Sequence, residues 1–71
     1  MLSIYYNSAA EPKNTNLQLI DNTGKVVNTI NIGSNNATYM FPVINYKAGI
    51  YYVELKEDGR ILKTEKVMVV H

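Results

Sequence analysis

A chain of 71 residues with a formal charge of +1 has room for one small domain and no second core. A domain of this size buries only about 60% of the surface its unfolded chain exposes, so its stability is modest. There is no cysteine, which excludes disulfides and a thiolate metal site, and no apolar run approaches the ~18 residues a membrane-crossing helix needs.

The charge pattern removes a further class. The cations are scattered as Lys13, Lys25, Lys47, Lys56, Arg60, Lys63 and Lys66. Only the last four cluster, and Glu54, Glu57, Asp58 and Glu65 are interleaved with them. A nucleic-acid binder needs a net basic face, which this chain does not supply. The start, Met1 to Asn7, lacks the basic residues and long apolar segment of a signal peptide, so an exported form would be a piece of a longer precursor.

In chain order the pattern is β throughout. Ile4 to Tyr6 predicts a short strand. Asn7 to Asn16, with Pro12 and many small polar residues, predicts a loop or a poorly specified edge segment. Leu17 to Asp21 alternates as a strand with Leu17 and Leu19 on one face. Asn22-Thr23-Gly24 supplies a turn, in which Gly24 can take positive φ. Val26 to Ile32 returns, with Val26, Asn28, Ile30 and Ile32 on one parity and the polar Asn28 interrupting the apolar row.

Gly33-Ser34-Asn35-Asn36 predicts a second turn and Ala37 to Phe41 the next strand. Pro42 lacks a backbone donor and belongs at a strand end. Val43 to Ala48 predicts a connection that crosses from one sheet to the other. Gly49 opens a strand in which Tyr51, Val53 and Leu55 point one way and Tyr52, Glu54 and Lys56 the other. Glu57-Asp58-Gly59-Arg60 suits a type I′ hairpin turn, and the last strand runs from Ile61 towards Val70. The nine asparagines are expected largely in turns, where their side chains cap the backbone. No helical stripe persists. About six or seven short strands with regular turn signals predict an all-β fold, a small antiparallel immunoglobulin-like β-sandwich.

The search for chemistry returns little. His71 is the only histidine and the final residue, a poor place to hold a general base or a metal. Glu54, Glu57, Asp58 and Glu65 read as a solvated hairpin surface with cross-strand charge pairs, and Asp21-Asn22-Thr23-Gly24 is too short for a calcium loop. Ser3, Ser8 and Ser34 have no partner base, and Gly24, Gly33, Gly49 and Gly59 are isolated rather than gathered in a phosphate loop. Asn36-Ala37-Thr38 matches a glycosylation triplet that is common by chance. The chain is therefore expected to be no enzyme and to need no cofactor.

Six tyrosines remain: Tyr5, Tyr6, Tyr39, Tyr46, Tyr51 and Tyr52. Tyr51 shares a face with Val53 and Leu55 and is expected in the core, its hydroxyl capping nearby backbone at a corner. Tyr52, of opposite parity, is expected to be exposed. An accessory binding module that touches glycan or protein through Tyr39, Tyr46 or Tyr52 is the competing reading.

Two stretches carry a resemblance. Asp21-Asn22-Thr23-Gly24-Lys25-Val26-Val27 matches an Asp-x-x-Gly-Lys/Arg-x-Val signature, and Gly49-Ile50-Tyr51-Tyr52-Val53-Glu54-Leu55 matches Gly-x-Tyr-x-Val-x-Leu. Gly59 through Lys66-Val67-Met68-Val69-Val70 fits the closing strand, without strict adjacency of the lysine and the final valine pair. Ile4-Tyr5-Tyr6-Asn7-Ser8 keeps the strand and the asparagine of a Tyr-Pro-Asn-Pro signature but neither proline. In this order and spacing the motifs resemble the C-terminal sorting domain of proteins exported by the type IX secretion system.

The resemblance implies that residues 1–71 form one domain at the end of a longer secreted precursor. The partners it implies are a covalently linked N-terminal cargo, an outer-membrane translocon and a sortase-like peptidase that removes the domain. The route would run through the periplasm and outer membrane of a Gram-negative bacterium to its surface. Asp21, Gly24, Lys25, Gly49, Tyr51, Val53 and Gly59 would be structural. Lys63, Glu65, Lys66, Val67, Met68, Val69 and Val70 would carry recognition, through a strand edge and the last hairpin. The charges on that edge would discourage edge-to-edge self-association, the other partnership an open sandwich allows.

Overall fold

Among the described residues, short runs of alternating apolar and polar residues produce six antiparallel strands: β1 (Leu2–Asn7), β2 (Thr15–Ile20), β3 (Val26–Asn31), β4 (Asn36–Phe41), β5 (Gly49–Glu57) and β6 (Arg60–Val69). The computed structural model describes residues 2–9 and 13–70, and the expectations for Pro12 and His71 fall outside them. β1 and β4 form a two-stranded sheet, and the others form a four-stranded sheet in the order β3-β2-β5-β6. The chain is an all-β sandwich of immunoglobulin-like type. It crosses between the sheets after β1, after β3 and after β4, the last through the Val43 to Ala48 connection.

Parity selects the core. β2 buries Leu17 and Leu19, β5 buries Tyr51 and Val53, and β6 buries Val69. Phe41 comes from the opposite sheet, with Ile32 and Val43 from the adjoining segments. Phe41 and Leu19 are wholly enclosed. On β1, Leu2, Ile4 and Tyr6 face inward and pack against this cluster, while Ser3, Tyr5 and Asn7 face out.

Some boundaries differ from the sequence expectation. β1 covers Leu2 to Asn7 rather than Ile4 to Tyr6, and β2 begins at Thr15, inside the expected loop. Thr15 is buried, its hydroxyl donates to the Lys13 carbonyl at 3.1 Å, and its own carbonyl accepts the Ile32 N–H at 2.9 Å. Asn14 takes a positive φ of 46° and accepts the Asp58 N–H at 3.1 Å, anchoring this corner to the far hairpin. Asp21 and Ile32 lie just beyond their strands, although Ile32 stays buried.

The shared parity of Val26, Asn28, Ile30 and Ile32 does not hold. Leu19 pairs with Asn28 but Ile20 pairs with Val26, so a bulge inserts Val27. Val26 is thereby turned outward beside Ile20, and Val27 packs against the core in its place. A second bulge interrupts β5–β6: Leu55 pairs with Lys63 and Lys56 with Ile61, which leaves Leu62 as the extra residue. Asparagine also proves less confined to turns than expected. Asn7, Asn16, Asn28, Asn31 and Asn36 all lie in strands. The Asn36 Oδ1 accepts the Tyr5 hydroxyl at 2.7 Å, a bridge from β4 to β1, and the Asn28 Oδ1 accepts the N–H of its neighbour Thr29 at 2.8 Å.

Candidate recognition surface

The two signature stretches are structural devices at one end of the sandwich. The Asp21 Oδ1 accepts the Thr23 hydroxyl at 2.6 Å, the Thr23 N–H at 2.9 Å and the Lys25 N–H at 3.0 Å. The Asp21 N–H donates to the Lys25 carbonyl at 2.9 Å, closing the β2–β3 turn. Gly24 sits at φ +89°, a conformation costly for any residue with a Cβ. Bonding by the Thr23 hydroxyl and the Lys25 N–H holds the Asp21 carboxyl below its ordinary pKa, against a smaller opposing effect of desolvation. Within the Asp-x-x-Gly-Lys spacing one carboxylate oxygen thus serves three donors, two of them from Thr23.

Tyr51 performs the second task. Its ring is buried and its hydroxyl donates to the Lys47 carbonyl at 2.7 Å, tying β5 to the crossing connection as the corner reading expects. The Tyr46 ring stacks on it at 6.1 Å between centroids and 28° between planes, and the Tyr46 hydroxyl donates to the Val27 carbonyl at 3.2 Å. Val53 continues the buried face, and Gly49 opens β5 opposite Val69. Gly59 ends the hairpin: Asp58 and Gly59 have φ of 51° and 79°, both positive as a type I′ turn requires.

The residues expected to carry recognition fall on two faces of β6. Lys63, Glu65, Val67 and Val69 pair across from Leu55, Val53, Tyr51 and Gly49, on the side turned towards the small sheet. Lys66 and Met68 lie opposite Tyr52 and Ile50 on the outer side. Val69 is 4% exposed and belongs to the core, Val67 is half-buried, and Val70 lies beyond the strand at 75% exposure. The exposed members of the run are therefore Lys63, Glu65, Lys66, Met68 and Val70, not Val67 and Val69. From Arg60 to Lys66 every residue is exposed. The hairpin's ion pair runs along β6, Lys63 Nζ to Glu65 Oε1 at 3.0 Å, rather than across the strands as the charge pattern suggested.

Sequence reasoning missed the neighbour of this surface. A cleft of about 390 Å³ lies between β1 and the hairpin, walled by Ser3 to Asn7 on one side and by Lys63, Glu65 and Val67 on the other. Leu17, Val53 and Leu55 form its floor. Strand parity assigns each of these residues a face, but only the pairing of β1 with β4 alone places them around one opening.

The tyrosines of the competing reading do not gather. Tyr39 and Tyr46 pack against the core from inside, while Tyr52 is exposed on the outer face of the four-stranded sheet. Among the described residues no three His, Cys, Asp or Glu side chains converge in a way that would hold a metal, and no helix is long and apolar enough to cross a membrane.

The described residues thus form a small sandwich whose hydrogen-bonding side chains serve its own turns and corner, with one long hairpin whose last strand is exposed over most of its length. The sequence model of a family described as "Secretion system C-terminal sorting domain" matches residues 1–70, and the chain belongs to that family. It is a type IX secretion sorting signal, of a family that is not catalytic and that works with the secretion machinery on an attached cargo. No curated protein and no solved structure matches the chain.

Proposed function

We propose that residues 1–71 form the last domain of a longer secreted precursor, and that the outer-membrane translocon reads it through the exposed part of the β5–β6 hairpin. Lys63, Glu65, Lys66, Met68 and Val70 are the contact residues; Val67 and Val69 hold the strand in place. The cargo precedes the domain in the same polypeptide and is delivered to the cell surface, where a sortase-like peptidase removes the domain. The observation that carries this reading is the exposure of every residue from Arg60 to Lys66 in a family of sorting signals, on a strand whose far end is fixed in the core.

The test is export of a fluorescent protein fused between a signal peptide and these residues, in a type IX-competent bacterium and a secretion-defective strain. Fluorescence at the surface or in the medium of the competent strain alone is the expected result. Retention in the periplasm of both overturns the reading. The point mutants Lys63→Ala, Glu65→Ala and Lys66→Ala locate the contact. Wholesale replacement of Lys66 to Val70 would remove Val69 from the core and confuse unfolding with lost recognition.

A further inference from the structure

We infer that the cleft between β1 and β6 is a slot for one guest strand, filled by an extended segment of the secretion machinery that pairs with the edge of β1. This rests on the sorting reading above and names where, and by what chemistry, the partner binds. The slot follows from unequal sheets. Two strands face four, and neighbouring strands sit about 4.8 Å apart, so part of the larger sheet's inner face is left uncovered. The uncovered part is the side of β5 and β6 bearing Leu55, Lys63, Glu65 and Val67.

The edge of β1 specifies an extended chain as the guest. Antiparallel ladders alternate hydrogen-bonded and non-bonded pairs. The Ser8 N–H donates to the Asn35 carbonyl at 2.8 Å, in register with the β1–β4 pairs, and this fixes the phase. Leu2, Ile4 and Tyr6 therefore turn their amides and carbonyls to β4. Ser3, Tyr5 and Asn7 turn theirs to the cleft they line. Three donors and three acceptors at two-residue spacing suit a main chain, and the half-buried Leu55 and Val67 suit apolar side chains on alternate positions of the guest. The Lys63–Glu65 pair at the rim offers one charge of each sign, so the guest carries polar or charged residues there.

Amide exchange on the intact 71-residue chain tests the slot, with detergent-solubilised outer membranes of a type IX-competent bacterium as probe and those of a translocon-deficient strain as control. In the chain alone, Ser3, Tyr5 and Asn7 exchange faster than Ile4 and Tyr6. Competent membranes slow those three amides by about tenfold or more and control membranes do not. Absence of that protection, whether or not β6 is protected, overturns the slot; if the fusion is still exported, the sorting reading survives it. Protection of the three amides in the chain alone, rising with its own concentration, makes the guest a second copy and also overturns the proposal.

Tyr5→Pro removes a donor that β4 does not use, and is expected to weaken membrane binding about tenfold with the fold retained. Should that variant fail to fold, Ser3→Pro removes a second such donor nearer the start of β1 and gives the same loss. Full binding by a folded Tyr5→Pro or Ser3→Pro protein rules the slot out.

Discussion

The two ends of β6 differ sharply. Near Val69 the strand lies over the core, flanked by the Tyr51 corner. Near Arg60 it leaves the core, and every residue as far as Lys66 is exposed. The same nine-residue β5 supports both. The buried end anchors the strand in a chain with no cysteine to cross-link it, and the exposed end is consequently released from packing. Its sequence can therefore be set by what it must meet rather than by what it must fill.

Mutations can break this contrast in order of size. Phe41→Ala removes a wholly enclosed ring and is expected to cost about 3–5 kcal/mol, enough in so small a domain to unfold much of the population at 37 °C; chemical denaturation followed by circular dichroism measures it. Tyr51→Phe keeps the ring but deletes the bond to Lys47, and should cost about 0.5–1.5 kcal/mol by the same method. A midpoint unchanged from wild type would show that the corner bond does not hold the connection.

Asp21 sharpens the comparison through pH. Its folded pKa is depressed, so its contribution to stability is present above the unfolded carboxyl value and is lost as pH falls through the folded one. Thermal midpoints of wild type and Asp21→Asn should differ at neutral pH and converge in acid. A constant gap would assign the effect of the substitution to something other than ionisation.

The smallest stability effect belongs to the exposed end. Lys63→Ala and Glu65→Ala break a solvated pair and should change stability by no more than about 0.5 kcal/mol, while reducing export in the fusion assay. Full export by both would move recognition elsewhere on the domain.

What the chain reveals of this in advance follows the range of the forces involved. The Asp58-Gly59 turn, the faces of β5 and the Tyr51 corner are legible because each is decided within a few residues. The start of β2 at Thr15 is not, because its bonds reach Lys13 on one side and Ile32 far along the chain on the other. The bulges at Val27 and Leu62 are hidden for a similar reason, since either register satisfies local alternation until the core chooses one. The surface residues Lys63, Glu65 and Lys66 stand out by charge. That the first two face β1 depends on the unequal number of strands in the sheets, which no local pattern encodes.

Val69, the last residue of the last strand, also acts as a completeness check. A polypeptide grows from its N-terminus, so every other strand exists before the residue that finishes the interior. β1 waits for β4 and β2 waits for β5, and a chain cut short of β6 lacks Val69 from its interior and the whole surface beside it. A domain synthesised only as far as β5 therefore lacks the exposed strand altogether, and the ten residues of β6 decide whether the rest becomes a finished fold.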